Sequence, residues 1–308
     1  MSQDLLSRHL RSVMGALCVM ALGGCDVAKF TADSTAGLFS RAAPAFESYW
    51  DYDLAGEAVP ATIVQLEGIL RVVPDNDAIL AQLSQAYVAY AYGWIEVEVE
   101  ELEFEGEYTE ANDQRQRART MYLRAMDLTR HRIRLWHPNV DDAVGGSIEG
   151  LEAWLRDEFA AEGDAEILFW HGYAWGSYIN TAKDDMEAIA DLAYAKAFVT
   201  RSIELDPDYY NASGYTFMGV AVASEMAGDM DEAKLYFEKA LARTEGRALQ
   251  THVNMARYYA VKTGNRELFD KLLNEVMDAD DPLPEARLAN RMARERAALY
   301  IENADQLF

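Results

Sequence analysis

The sequence predicts an all-α protein, built as stacked antiparallel helix hairpins with a concave groove, and three observations predict it. Apolar residues recur at three- and four-residue spacing along most of the chain, the period of a helix buried on one face. The seven prolines, at 44, 60, 74, 138, 207, 282 and 284, fall between periodic segments or at their starts, where a missing amide donor costs little. No stretch joins two alternating apolar runs through turn residues. The one ambiguous run is "WIEVEVEELEFEGE", residues 94–107. Its Ile95, Val97 and Val99 alternate as in a strand, while Ile95, Val99 and Leu102 also share a helical face; we read a helix running out into an acidic loop near Gly106.

The N-terminus carries a separate signal. Arg8 and Arg11 precede an apolar run from Val13 to Leu22, which ends in Leu22, Gly23, Gly24 and Cys25. A basic start, a short apolar stretch and small residues before a cut describe a secretory signal over residues 1–24, too short to span a bilayer. Leu-Gly-Gly-Cys resembles a bacterial lipobox, in which Cys25 becomes the acylated first residue; an ordinary signal peptide is the alternative. Cys18 would leave with the signal, so no thiol would remain for a disulfide, a metal or a nucleophile. Three acyl chains, at about 0.8 kcal/mol per buried methylene, would hold the chain to a membrane. Asp26 resembles an inner-membrane retention signal of some enteric bacteria, and the leaflet stays open. Residues 25–44, rich in Ser, Thr, Ala and Gly without clear periodicity, are expected to form a flexible tether. Residues 45–308 are expected to form a single helical domain.

Within that domain the helices repeat. In "LAYAKAFVTRSIELDP", residues 192–207, Ala195, Val199, Ser202 and Pro207 take the characteristic places of the second helix of a tetratricopeptide unit. Ala233, Phe237 and Ala240 take them in "GDMDEAKLYFEKALAR", and Phe269, Leu273 and Val276 in "NRELFDKLLNEVMDADDP". The spacings, 38 residues from Ala195 to Ala233 and 36 from Ala233 to Phe269, lie just above the usual repeat of about 34. "ATIVQLEGILRVVP", ending at Pro74, is a distant fourth copy. Small residues there let two helices approach, and no hairpin buries its apolar face without a neighbour, so the pattern describes a TPR-like α-solenoid.

The formal net charge of −24 argues against nucleic acid as a partner, because phosphate binding needs clustered Lys and Arg. The one basic island is "RQRARTMYLRAMDLTRHRIR", residues 115–134. Either it receives an acidic partner or the neighbouring acidic run 96–107 neutralises it; we favour the second, because a short turn joins the two.

The segments "LFWHGYAWGSYI", "AKAFVTRSIELDPDYYNASGYTFMGVAVA", "AKLYFEKALART", "ARYYAVKTGNRELFDKLLNEVMDADD" and "RLANRMARERAALYIENADQLF", in that order behind a lipobox, resemble the TRAP-transporter-associated TPR lipoproteins, the T-component family. The resemblance covers roughly residues 45–308 and is densest after Ala165. It implies an all-helical periplasmic lipoprotein, assembled as a homotrimer around a pore. It also implies a partner, the solute-binding receptor protein of a TRAP-type secondary transporter, whose ligand the chain would shelter. A TPR lipoprotein serving envelope or outer-membrane protein assembly is the alternative among binding proteins, and a lipid-tethered hydrolase is a more distant one.

Catalytic signals are weak. "GGSIEG", residues 145–150, comes near a nucleophile elbow, but Glu149 stands where the last glycine belongs and no strand precedes it. Histidines 131, 137, 171 and 252 lack metal-ligand spacing; His137 with Asp141 and Asp142 reads as a capped loop rather than a metal site. We therefore expect a non-enzymatic protein with no metal and no cofactor. "ILFWHGYAWGSYI", residues 167–179, is the most aromatic stretch, and its uncharged run is too short to span a membrane. At 100° per residue Gly172 and Gly176 share a side open to close helix approach, beside an arc of Phe169, Tyr173 and Trp170. His171, Trp175 and Tyr178 form another arc. It belongs either to the core or to the concave groove or pore, as an apolar surface for a ligand or the receptor.

Overall fold

The computed structural model describes residues 24–308, so the signal sequence expected over 1–24 lies, but for Gly24, outside the described residues. Helix accounts for 83% of them and none is in a strand. Residues 24–47 correct one expectation. The segment expected as a flexible tether is helix α1 (Gly24–Glu47). Its composition is rich in alanine, and tertiary contact decides the rest: Ala36 is 1% exposed, and Phe39 packs against the cluster of Val59, Ile63 and Leu66. Asn76 donates to Asp33 at 2.9 Å and ties the helix down. Two prolines also depart from the expected placement, Pro44 inside α1 and Pro60 inside α2 (Tyr52–Val72). Each removes one amide donor from its helix.

Asp51 caps α2 by accepting from the Leu54 amide, and Asn76 caps α3 (Asp77–Tyr90) by accepting from that of Ile79. The two helices pack as a hairpin around Ile63, Leu66, Leu70, Ile79, Leu80 and Leu83. A π-helical turn, Ala91–Ile95, leads without a break into α4 (Glu96–Glu105), which ends at Gly106 in the left-handed region, φ 85°. The ambiguous acidic run is thus a helix.

Helix α5 (Tyr108–Trp136) is the longest and lies between α3 and α4 on one side and α8 (Ala165–Thr181) on the other. The short α6 (Val140–Val144) and α7 (Ile148–Glu158) intervene, with α9 (Met186–Ala190) after α8. Then follow α10 (Leu192–Leu205), α11 (Tyr209–Ser224) and α12 (Met230–Thr244). Helix α11 opens on three residues in the left-handed region, Tyr210, Asn211 and Ala212. Helix α13 (Leu249–Asn254) runs into a second π-helical turn, Met255–Ala260, and α14 (Arg266–Asp278), α15 (Arg287–Glu302) and α16 (Ala304–Leu307) complete the chain.

The repeat positions behave as their spacing requires. Ala195, Val199, Ser202, Ala233, Phe237, Ala240, Phe269, Leu273 and Val276 are all buried. Gly172 and Gly176 mark close crossings of α8 with its neighbours. A Cβ at Gly172 would stand 2.8 Å from the Ala195 carbonyl oxygen, and one at Gly176 would stand 2.3 Å from the Phe217 ring.

In an open solenoid each repeat touches only its neighbours. Here the chain closes on itself: α15 packs against α1 and α2, Met292 lies on Gly93, and Arg287 donates to the Ser48 carbonyl at 3.1 Å. Leu288 and Met292 share a cluster with Ala55, Tyr52 and Trp94.

Candidate functional site

The closure brings together side chains that lie 200 residues apart in sequence. Tyr92, Glu96 and Glu100 stand four residues apart on one face of the first π turn and α4, and Arg296 and Tyr300 stand four apart on α15. A π turn shifts the hydrogen-bond register and leaves carbonyls to be satisfied from outside the helix. Two are: Arg296 Nη2 donates to the Tyr92 carbonyl at 2.6 Å, and the Tyr52 hydroxyl donates to the Gly93 carbonyl at 2.6 Å.

Arg296 is 2% exposed, yet it carries a full charge, held between Glu96 and Glu100 at 3.4 Å each and stacked 4.1 Å over the Tyr92 ring. Burial works against that charge, but Tyr92, Glu100, Tyr300 and Glu96 together outweigh it and hold the guanidinium protonated. Burial raises the pKa of Glu96; Arg296 and a hydrogen bond from Tyr122 oppose the rise. The Tyr300 hydroxyl donates to Glu100 Oε1 at 2.7 Å. Burial also pushes the Tyr122, Tyr173 and Tyr300 phenols well above their usual range, so all are neutral donors.

The cluster extends to the second π turn and the end of α8. Asn180 Nδ2 donates to the Tyr258 hydroxyl at 3.2 Å, Lys183 Nζ lies 6.0 Å over the Tyr258 ring, and the Arg257 guanidinium lies 5.8 Å over that of Tyr300. Lys183 is exposed as a residue, but its ammonium is drawn inward, where burial and then Arg257 lower its pKa. Five buried polar atoms here have no hydrogen-bond partner among the described residues: the Tyr92 hydroxyl, Glu100 Oε2, Asn180 Oδ1, Arg257 Nε and Arg296 Nε. Unsatisfied buried polar atoms are scarce in folded proteins, so their concentration at two π turns marks this cluster as the candidate site.

The arc of His171, Trp175 and Tyr178 lies elsewhere and is packed inside. His171 is 0% exposed, Trp175 is 5% exposed, and Tyr178 is half-buried against the core. The Thr129 hydroxyl has one proton and a backbone acceptor for it, the Ala125 carbonyl at 2.9 Å. The His171 Nδ1 lies 2.8 Å from that hydroxyl, within hydrogen-bond distance, and Nε2 has no hydrogen-bond partner among the described residues. Burial, with Arg130 nearby, holds the imidazole pKa well below its usual value, so His171 is neutral. Trp175 stacks on Tyr194 at 6.0 Å and lies under Arg130. Helices α5 and α10 cover the arc in the folded chain, and Gly172 on α8 lets α10 come close.

Among the other sequence candidates, Ser147 Oγ caps α7 by accepting from the Gly150 amide at 3.2 Å. His137 faces Glu158 at 2.9 Å, and Asp141 is held instead by Arg134 and Arg130. The basic island is neutralised, though only in part by the expected run. Arg115 meets Glu103, whereas Arg119, Arg124 and Arg132 pair with Asp184, Glu67, Asp77 and Glu166. The acidic run spends Glu96 and Glu100 on Arg296. Sequence reading missed this cluster, although it left a trace: Arg296 interrupts an otherwise apolar stripe of Met292, Ala293, Ala297 and Tyr300.

Comparison with curated proteins found none that matches the chain. Comparison with family models found one match, described as the TRAP transporter T-component and covering residues 49–308. The chain therefore belongs to the TRAP transporter T-component family.

Proposed function

We propose that the chain is a non-enzymatic adaptor on the periplasmic face of the cell envelope, tethered through lipid on Cys25, that holds the solute-binding receptor protein of a TRAP-type transporter. Family membership over residues 49–308 carries this reading. Among the described residues no helix is long and apolar enough to cross a membrane. In this reading the acylated Cys25 supplies the attachment, and α1 forms a helical stem between anchor and body rather than a slack tether. The buried tetratricopeptide-like positions support a rigid helical array suited to holding a protein partner. The adaptor works as a homotrimer. The test is direct: full-length chain in detergent is titrated with the purified receptor, and the mass of the assembly is measured by sedimentation. A receptor complex built on a trimer is the expected result; an inert monomer would overturn it.

A further inference from the structure

We propose that the outer face of α1 lies along the surface of an anionic lipid bilayer, so that the helix is held between the membrane and the helical body. The inference rests on the proposed lipid attachment at Cys25 for one point only, that the membrane lies at this end of the chain.

The first observation is the division of α1 into two sides. At about 100° per residue, Asp33, Ala36 and Phe39 fall within about 60° of one direction. Phe39 meets the body through the cluster of Val59, Ile63 and Leu66, and Asp33 meets it through Asn76. Val27, Phe30, Ser34, Leu38, Arg41 and Ala45 fall within about 60° of the opposite direction, and all six are exposed. Val27, Phe30 and Leu38 stand at 64%, 72% and 66% exposure, so this side holds three large apolar side chains without cover among the described residues. One such residue on a surface is ordinary; three on one helix face mark a contact surface.

The second observation is charge. The chain carries −24, so an anionic bilayer repels most of its surface. The outer face of α1 carries no carboxylate among its described side chains, and its one charge is Arg41. Arg41, like Lys29 on the same helix, has no ion-pair partner among the described residues. Large apolar residues with cations beside them and no acid among them suit the boundary between headgroups and acyl chains.

The third observation is placement. Cys25 is the second residue of α1, so an acyl anchor there puts the first turn at the membrane surface. An upright helix would carry Leu38 about 20 Å out into water, whereas a flat one brings Val27, Phe30 and Leu38 to the boundary together. Acyl chains alone hold a protein at a membrane without orienting it. A flat α1 fixes the orientation, because α2, α3 and α15 grip its opposite side.

The test tethers the chain without acyl groups, which separates this inference from the lipoprotein reading. Residues 25–308 with Cys25→Ser and an N-terminal histidine tag are held by a nickel-chelating lipid on vesicles of phosphatidylcholine and phosphatidylglycerol. Cys18 and Cys25 are the chain's two cysteines, so an environment-sensitive fluorophore can be placed on Leu38→Cys, Leu235→Cys or Met226→Cys, one at a time. All three positions are exposed, and the last two lie on and just before α12. On vesicles the label at position 38 should shift its emission to the blue and be quenched by spin-labelled lipid, while the other two emit as in water. Ser34→Asp with Arg41→Glu, both at exposed positions, should abolish the shift. Unchanged emission at position 38, an equal shift at 235 and 226, or a shift that survives the two added carboxylates would each overturn the proposal. So would a shift already present without vesicles, which would give this face to a second copy of the chain.

Discussion

Replacing Arg296 by methionine keeps most of the side-chain volume and removes the charge that Glu96 and Glu100 share. Both carboxylates then stay behind with side chains only 13% and 18% exposed. At 3.4 Å each pair is worth up to roughly 5 kcal/mol at an effective dielectric of 20, before desolvation is subtracted. Breaking a buried pair by removing one partner costs about 3–5 kcal/mol, because the survivor is uncompensated. For a domain of this size, about 4 kcal/mol lowers the melting temperature by roughly 8–16 °C. The deficit should also depend on pH. Glu96 already has a folded pKa raised by burial, and without Arg296 it rises further. The folded state then binds more protons than the unfolded chain between the ordinary carboxylate value and the raised one, so stability falls as pH climbs through that window. Scanning calorimetry should show a larger loss at pH 8 than at pH 5. The triple variant Arg296→Met, Glu96→Gln, Glu100→Gln, which removes all three charges, should recover most of it. A melting point within about 2 °C of the parent at pH 8, or no recovery in the triple variant, would refute the buried ion-pair reading.

Further expectations follow from packing and from the anchor. Gly172→Ala puts a methyl group 2.7 Å from Val199 Cγ2 and 2.8 Å from a backbone carbonyl that cannot swing away, and should cost about 1–3 kcal/mol in denaturant unfolding. Gly68→Ala, with nothing within 4 Å in the middle of α2, should instead gain about 0.5–1 kcal/mol; a loss would contradict the open surface there. Trp170→Ala and Trp175→Ala, at 6% and 5% exposure, should each cost about 3–5 kcal/mol, and a near-neutral Trp175→Ala would return that residue to an open groove. Cys25→Ala should abolish metabolic lipid labelling and release the folded chain from membranes, so persistent labelling would sink the anchor.

Where a side chain's place depends on its own helix, the sequence was readable. The small and apolar positions at 195, 199, 233, 237 and 269 follow from spacing alone, as does the close approach at Gly172 and Gly176. Where it depends on contacts distant in sequence, the reading failed. Nothing within residues 25–44 shows that Ala36 and Phe39 will find the α2–α3 hairpin, and that contact turns a tether into a helix. His171 and Trp175 share an arc on α8, but only the neighbouring helices decide that the arc is covered. The Arg296 cluster was hidden for the same reason: its halves are 200 residues apart, and the acidic run had a nearer basic neighbour to explain it.

The most direct measurement is co-purification from intact envelopes. The affinity-tagged, natively acylated chain is cross-linked in growing cells, solubilised, and its partners identified by mass spectrometry. A TRAP-type solute-binding protein, retained by the parent chain at near-stoichiometric yield, is the predicted result. Recovery of outer-membrane assembly factors in its place, or of the chain with no receptor at all, would contradict the adaptor role.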